Sequence, residues 1–406
     1  MAAGGLALRL AEWSRVEDRV FRQHRVGLYS LALATCYLIF MLTGYFRRLW
    51  ITDEQGGGIA IDFVATWAAG HLALAGHAAA AYDLPTFRQE QLLAVVKVVG
   101  DYTWAYPPTY FLLAAPLALL GYSSSAVLWI AATFTAYLAA IRTIVPRWFA
   151  MAAAAASPFA LWSAFTGQNG FLTAALIGGV LGLLERRPIV AGILLGLLTL
   201  KPQLGVVFPI VLILTGRWRV IAAATVTAAA LAALSYAVFG MEAWRGFFAA
   251  IRSQSDLVLA KGAVPFTKQQ SVHALVRFLG GADSLAWTLH LAVAGMAIAF
   301  TAWLWRRPVD YRLKAAAAGA AVLTATPYLF LYDLPILSVP MVFLMSAGAR
   351  YGFVPGERTV VAFLMVGMLL LSGSPVGVPL LAALWLLIVL RLRQERAAAG
   401  RVAQRR

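Results

Sequence analysis

Charge and cysteine are scarce in this chain. Only 12% of its 406 residues are charged, against about 25% in an ordinary soluble protein. The deficit excludes a set of water-soluble domains. With 62% hydrophobic residues, the chain reads as one polytopic membrane bundle, since lipid admits only backbones whose polar groups are satisfied internally. Cys36 is the single cysteine and lies inside the first apolar run, which excludes an intrachain disulfide and a cysteine-based metal site. There is no GxSxG, Walker loop or HExxH, and no GxGxxG in a strand–helix setting. Nucleotide hydrolysis is therefore not expected to power the protein.

Basic residues outnumber acidic ones, 33 to 17, for a net charge of +16. They fall in short tracts between apolar runs, at residues 15–25, 142–147, 185–187, 217–219, 306–314 and 391–406. That pattern marks the cytoplasmic side of a membrane protein, with anionic headgroups and no nucleic acid as the implied partner. The basic N-terminal sequence carries no short apolar stretch ending in small residues, so it reads as an uncleaved arm ahead of a retained first span.

The expected organisation is a cytoplasmic arm over residues 1–26, one membrane domain over 27–392, and a basic cytoplasmic tail over 393–406. The first span covers about 27–46. Residues 47–106 form a first extracytoplasmic loop with two helices, 62–81 and 84–99. Trp67, Leu72 and Leu74 are placed to press against the membrane surface, as interfacial helices do. Further apolar runs lie near 108–121, 124–144, 148–166, 169–184, 188–200, 203–216 and 219–239. A second large outer loop spans 240–284 and contains Lys261, and five more runs follow between 285 and 392. The reading is all-α, with about 12 spans of ~20 residues each and both termini inside. One parity conflict stands. Two full crossings between residues 108 and 144 would put Arg142 outside, so either one run does not cross or the charge rule fails there.

Polar residues inside this apolar background are the site candidates. Gln168-Asn169 interrupts one run and Lys201-Pro202-Gln203 another. The basic turn Glu185-Arg186-Arg187 lies between them, which places the two breaks together on the opposite side. A lysine at that depth either snorkels to the interface or lines a wet cavity on a broken helix. Asp62 starts the first loop helix, where a helix cap competes with a chemical role. Asp83 reads as a turn former. His71 and His77 are six residues apart, not the i, i+4 spacing of a shared metal. Lys268, Gln269, Gln270 and Ser271 precede an amphipathic run and have the alternative of a solvated face. Asp333 interrupts two apolar runs in Tyr332-Asp333-Leu334-Pro335.

In order along the chain, the short motifs Asp62-Phe63, Tyr82-Asp83, Tyr106-Pro107-Pro108, Gly167-Gln168-Asn169-Gly170, Lys201-Pro202-Gln203, Gln270-Ser271, Thr326-Pro327-Tyr328 and Tyr332-Asp333 resemble glycosyltransferase family 87, once labelled DUF2029, of the GT-C superfamily. The resemblance implies a GT-C membrane fold whose first outer loop holds a catalytic aspartate, here Asp62. It implies a polyprenyl-phosphate sugar donor, commonly mannose, a lipid or glycan acceptor, and a metal-independent site with no cofactor. Asp62 is then expected to take the acceptor hydroxyl's proton, with inversion at the sugar. Lys201 and Lys268 are expected to face the leaving phosphate. Gln168, Asn169, Gln203 and Gln270 are assigned to substrate, with Tyr106 walling the pocket and Asp333 sharing the acceptor. The expected location is the bacterial inner membrane, active site outward. A flippase for polyprenyl-linked glycans is the competing reading, and it predicts no dependence on a single outer carboxylate.

Overall fold

Length sorts the apolar segments, because a helix rises only ~1.5 Å per residue and the hydrocarbon layer is ~30 Å thick. A computed structural model describes residues 12–98, 102–255, 258–259, 262, 264–370 and 373–404. Lys261 lies outside the described residues. Among these residues the chain is helical, without named strands; only isolated bridges occur. Six helices are long and apolar enough to cross: Gln23–Phe46, Tyr122–Ile144, Trp218–Ser253, Asp283–Trp305, Leu331–Tyr351 and Gly377–Ala397. A seventh candidate is the pair α7 (Trp148–Ala155) and α8 (Pro158–Thr166), bent by 59°. Pro158 explains the bend, since its ring cannot continue the preceding turn.

The other apolar helices are shorter. After α2 (Gln23–Phe46), the first loop holds α3 (Phe63–Leu74) and α4 (Leu84–Ala94). A short turn of helix at Pro108–Tyr110 leads into α5 (Phe111–Ala118), and α6 (Tyr122–Ile144) follows. The run from Pro108 to Ala118 is too short to cross by itself. That favours the first of the two ways out of the parity conflict, leaving α6 to carry the chain to Arg142.

α9 (Gly170–Leu183), α10 (Pro188–Leu197) and α11 (Val207–Leu214) come next. The backbone breaks between α10 and α11 at Lys201-Pro202, as the half-helix reading expected, with 3-10 turns at Leu198–Leu200 and Pro202–Leu204. α12 (Trp218–Ser255) then runs 38 residues with a kink at Gly240, where φ is +77°. What reads as the start of the second outer loop is therefore helix as far as Ser255. The chain closes with α13 (Val272–Phe278), α14 (Asp283–Trp305), α15 (Tyr311–Ala325), α16 (Ser338–Tyr351), α17 (Glu357–Leu370) and α18 (Gly377–Gln404).

The basic turns meet at one end. Gly27 packs on Trp148 and Phe149, and Gly182 on Thr143. Arg217 pairs with Glu185, Tyr311 Oη donates to Leu181 O at 2.6 Å, and Tyr351 Oη donates to Asp310 at 2.7 Å. The first helix, α1 (residues 12–20), is tied there by Glu17, whose carboxylate accepts from Thr359 N at 2.9 Å and Gly356 N at 3.0 Å. The core is built by α9, α15 and α16, with Phe171, Ile177, Leu323 and Leu344 at its centre. A second cluster, under the first loop, joins α3 to α5 through Phe63, Trp67 and Phe111.

One expectation for that loop changes. Trp67 and Leu72 do not press outward: both are buried, and Trp67 Nε1 donates to Leu120 O at 2.9 Å. Only Leu74 of the three is exposed. The helix is apolar nearly all round, so it packs inward. His71 pairs with Glu90, supplied across the loop by α4.

Candidate functional site

Four breaks in regular structure converge at the end away from the basic turns. Gly167, at φ +67°, ends α8 in a left-handed turn, and Gln168-Asn169 opens α9. Gly170 then passes the 3-10 helix Leu331–Leu337 so closely that a Cβ there would lie 1.8 Å from Tyr332 O. The Lys201 break faces the same point. The fourth break is the segment before α13, zipped to 329–331 by Gln270 N to Leu329 O at 2.6 Å and Leu331 N to Lys268 O at 3.0 Å.

These breaks assemble a continuous polar relay. Lys201 Nζ donates to Asp333 Oδ1 at 2.6 Å and to Asn169 Oδ1 at 3.3 Å. Asn169 Nδ2 donates to Tyr106 Oη at 2.8 Å, and Tyr106 Oη donates to Gln168 Oε1 at 3.4 Å. The Asp62 carboxylate lies beside Gln168, whose side chain helps to hold its pKa down. Asp333, which is 0% exposed, also accepts from Phe330 N at 3.1 Å. Lys201 is 4% exposed and lies over the Tyr332 ring, 5.0 Å from its centroid. Burial to this degree rules out snorkelling. Its charge is met by Asp333.

Asp62 is freed from its bland explanation. It occupies the cap position of α3, yet its side chain makes no capping hydrogen bond and its backbone is α-helical, at φ −57° and ψ −22°. Burial pushes the pKa of Asp62 up to about 6, while the Lys268 charge and the neighbouring Gln168 side chain pull it down. Lys268 is exposed and is the cation whose field reaches Asp62.

Tyr106 is held in an aromatic wall, 4.9 Å from Trp104 and 4.6 Å from Tyr110 between ring centroids. Tyr82 Oη donates to Tyr106 O at 2.8 Å and fixes that backbone. Trp104 and Tyr110 escape a sequence reading, because buried aromatics beside an apolar run look like ordinary core. Asp83 is the turn former it was read as: its carboxylate accepts from Thr86 N at 3.1 Å and caps α4.

The second loop corrects another expectation. Gln269, Gln270 and Ser271 are buried rather than a solvated face, and Ser271 Oγ caps α13 at Ala274 N, 3.2 Å away. Gln270 accepts from Gly377 N at 2.7 Å and donates to Thr267 O at 3.0 Å, so it ties the Lys268 segment to the start of α18. Gln203 is half-buried and takes no part in the relay. No group of His, Cys, Asp and Glu that could hold a metal occurs among the described residues.

Fold and site together define a polytopic helical membrane protein with a carboxylate–amide–lysine relay set into one end of the bundle. The chain belongs to glycosyltransferase family 87, whose family model matches residues 104–331, and is accordingly a membrane glycosyltransferase. Tyr106, Gln168, Asn169, Lys201, Gln203, Lys268 and Gln270 fall inside the matched range; Asp62 precedes it and Asp333 lies just beyond. No curated protein and no solved structure matches the chain.

Proposed function

We propose that the protein transfers a hexose, mannose in the simplest case, from a polyprenyl-phosphate carrier to a hydroxyl of a lipid or glycan. The reading takes the fold to be of GT-C type. It sets the reaction at the outer face of a bacterial inner membrane, opposite the basic turns. The observation that carries it is Asp62: a carboxylate at a helix start that does not cap, set beside Gln168 and in the field of Lys268, with its pKa pushed up to about 6.

In this scheme the acceptor hydroxyl gives its proton to the Asp62 carboxylate as its oxygen bonds to the anomeric carbon. The bond from that carbon to the phosphate oxygen breaks with inversion, and the phosphate leaves with the electron pair. A base with a pKa near the working pH suits such a step, because it is ionised yet still draws the proton. Lys268 meets the charge growing on the phosphate, since its ammonium is exposed and in the field of Asp62. Lys201 acts one step back, holding Asn169 and through it Tyr106 and Gln168. Asp333 is bound up with Lys201 and supports the pocket from beneath.

The test separates transfer from translocation. Vesicles holding the protein are supplied with polyprenyl-phosphate [³H]mannose and extracted membrane lipid as acceptor. Transfer gives a labelled product of changed mobility from which mild acid, which cleaves the sugar phosphate, releases no free mannose. Label that crosses the bilayer still acid-labile is the flippase outcome.

A further inference from the structure

Two cavities sit side by side at the basic end, far from the relay. The first, of about 410 Å³, is walled by Thr215, Arg217, Trp218 and Arg219 where α11 turns into α12. The second, of about 460 Å³, is lined by Arg187, Ile189, Val190 and Arg219 along the start of α10. Pro188 and Arg219 belong to both, so the two open on a common edge. Both are open grooves rather than enclosed chambers.

The walls differ in chemistry. In the first, polar and apolar groups are mixed: Arg217 is held in place by Glu185, and Thr215 Oγ1 donates to Val211 O at 2.7 Å. The second is floored by aliphatic side chains, and Ile189 is 60% exposed at its rim. Arg187 and Arg219 make no ion pair among the described residues. Among the described residues the cluster of Arg186, Arg187, Arg217 and Arg219 therefore has Glu185 as its one acidic ion-pair partner. Trp218, 64% exposed, projects beside them, in the manner of a side chain that settles at headgroup depth.

Arg187 and Arg219 both border the apolar second groove, and a groove with an apolar floor and unmet positive charge at its border fits an amphiphile with an anionic head. We propose that this cleft binds an anionic phospholipid, with its phosphate between Arg187 and Arg219 and its first acyl segment along Ile189 and Val190. Basic pockets between membrane helices take acidic headgroups by the same electrostatics. The site is independent of the sugar-transfer site and does not require that reading to hold.

The experiment uses the full chain in detergent, delipidated and then offered phosphatidylglycerol or phosphatidylcholine. Native mass spectrometry and thermal unfolding report binding. Wild-type protein is expected to retain phosphatidylglycerol at least five-fold over phosphatidylcholine and to unfold at a higher temperature with it. Arg187→Ala/Arg219→Ala is expected to lose both effects while unfolding as wild type does in phosphatidylcholine. Arg306→Ala, which removes one charge elsewhere on the basic end, is expected to keep them. Val190→Trp, which fills the apolar cavity, is expected to weaken retention with every arginine in place. Equal retention by the double variant overturns the site. Stabilisation by inorganic phosphate as strong as that by phosphatidylglycerol shows a plain anion site and overturns the lipid assignment.

Discussion

Lys201 and Asp333, 132 residues apart in the chain, share a hydrogen bond of 2.6 Å inside the bundle. The lysine stands at the break between α10 and α11, and the aspartate in the 3-10 turn before α16. Breaking a buried pair from one side strands the remaining charge, which costs about 3–5 kcal/mol, whereas replacing both partners with apolar groups is often close to neutral. Lys201→Met and Asp333→Leu should each lower the unfolding temperature markedly in detergent. The double variant Lys201→Met/Asp333→Leu should recover more than half of the loss. Additive losses would show that the pair is not a unit.

Asp62 makes transfer depend on pH. Its folded-state pKa, pushed up to about 6, means the base is protonated below that value and ionised above it. The rate of transfer should climb about tenfold per pH unit below the midpoint and level off above about 7. Lys268→Gln removes a charge that lowers this pKa, so the midpoint should move upward. A profile flat between pH 5 and 7.5, or an unmoved midpoint, would count against Asp62 as the base.

The same shift has a sign in stability. Burial raises the folded pKa of Asp62 above the unfolded value near 3.8, so folding disfavours its charged form. That cost is absent below about pH 3.8, develops as pH rises to about 6, and is full above it. Asp62→Asn should therefore unfold at a higher temperature than wild type at pH 8. The advantage should shrink as the pH is lowered toward 4, and equal gaps at both values would refute the linkage.

Gly170 sets the distance between α9 and the Asp333 turn. A methyl group there meets backbone, the Tyr332 carbonyl, and cannot be accommodated by a side-chain rotation. Gly170→Ala should destabilise by about 1–3 kcal/mol, as overpacking does, and should reduce transfer through the displaced Asp333–Lys201 pair. Wild-type unfolding and wild-type turnover together would mean the turn moves freely.

The sequence made much of this visible because lipid penalises polar groups. Gln168, Asn169, Lys201 and Asp333 stood out against apolar runs, and the alternation of basic turns placed them at one end. Their bonding was not readable, since Lys201 and Asp333 are brought together only by tertiary packing. Lys201 consequently looked like a free cation when it is a partnered one. The interior position of Trp67 was missed for a related reason: in a membrane protein an apolar face does not reveal whether it meets lipid or protein. The kinked continuation of α12 past Gly240 was hidden by polar residues that suggest a loop. Asp62 was ambiguous in sequence, and only the absence of a capping bond decided against the cap.

The central claim is tested most directly by turnover of purified Asp62→Asn with polyprenyl-phosphate mannose and acceptor lipid. The substitution keeps the shape of the side chain and its contact with Gln168 but abolishes the base. Transfer should fall at least 100-fold, the scale of a lost general base, with donor affinity unchanged. Transfer by Asp62→Asn within a few-fold of wild type would contradict the account.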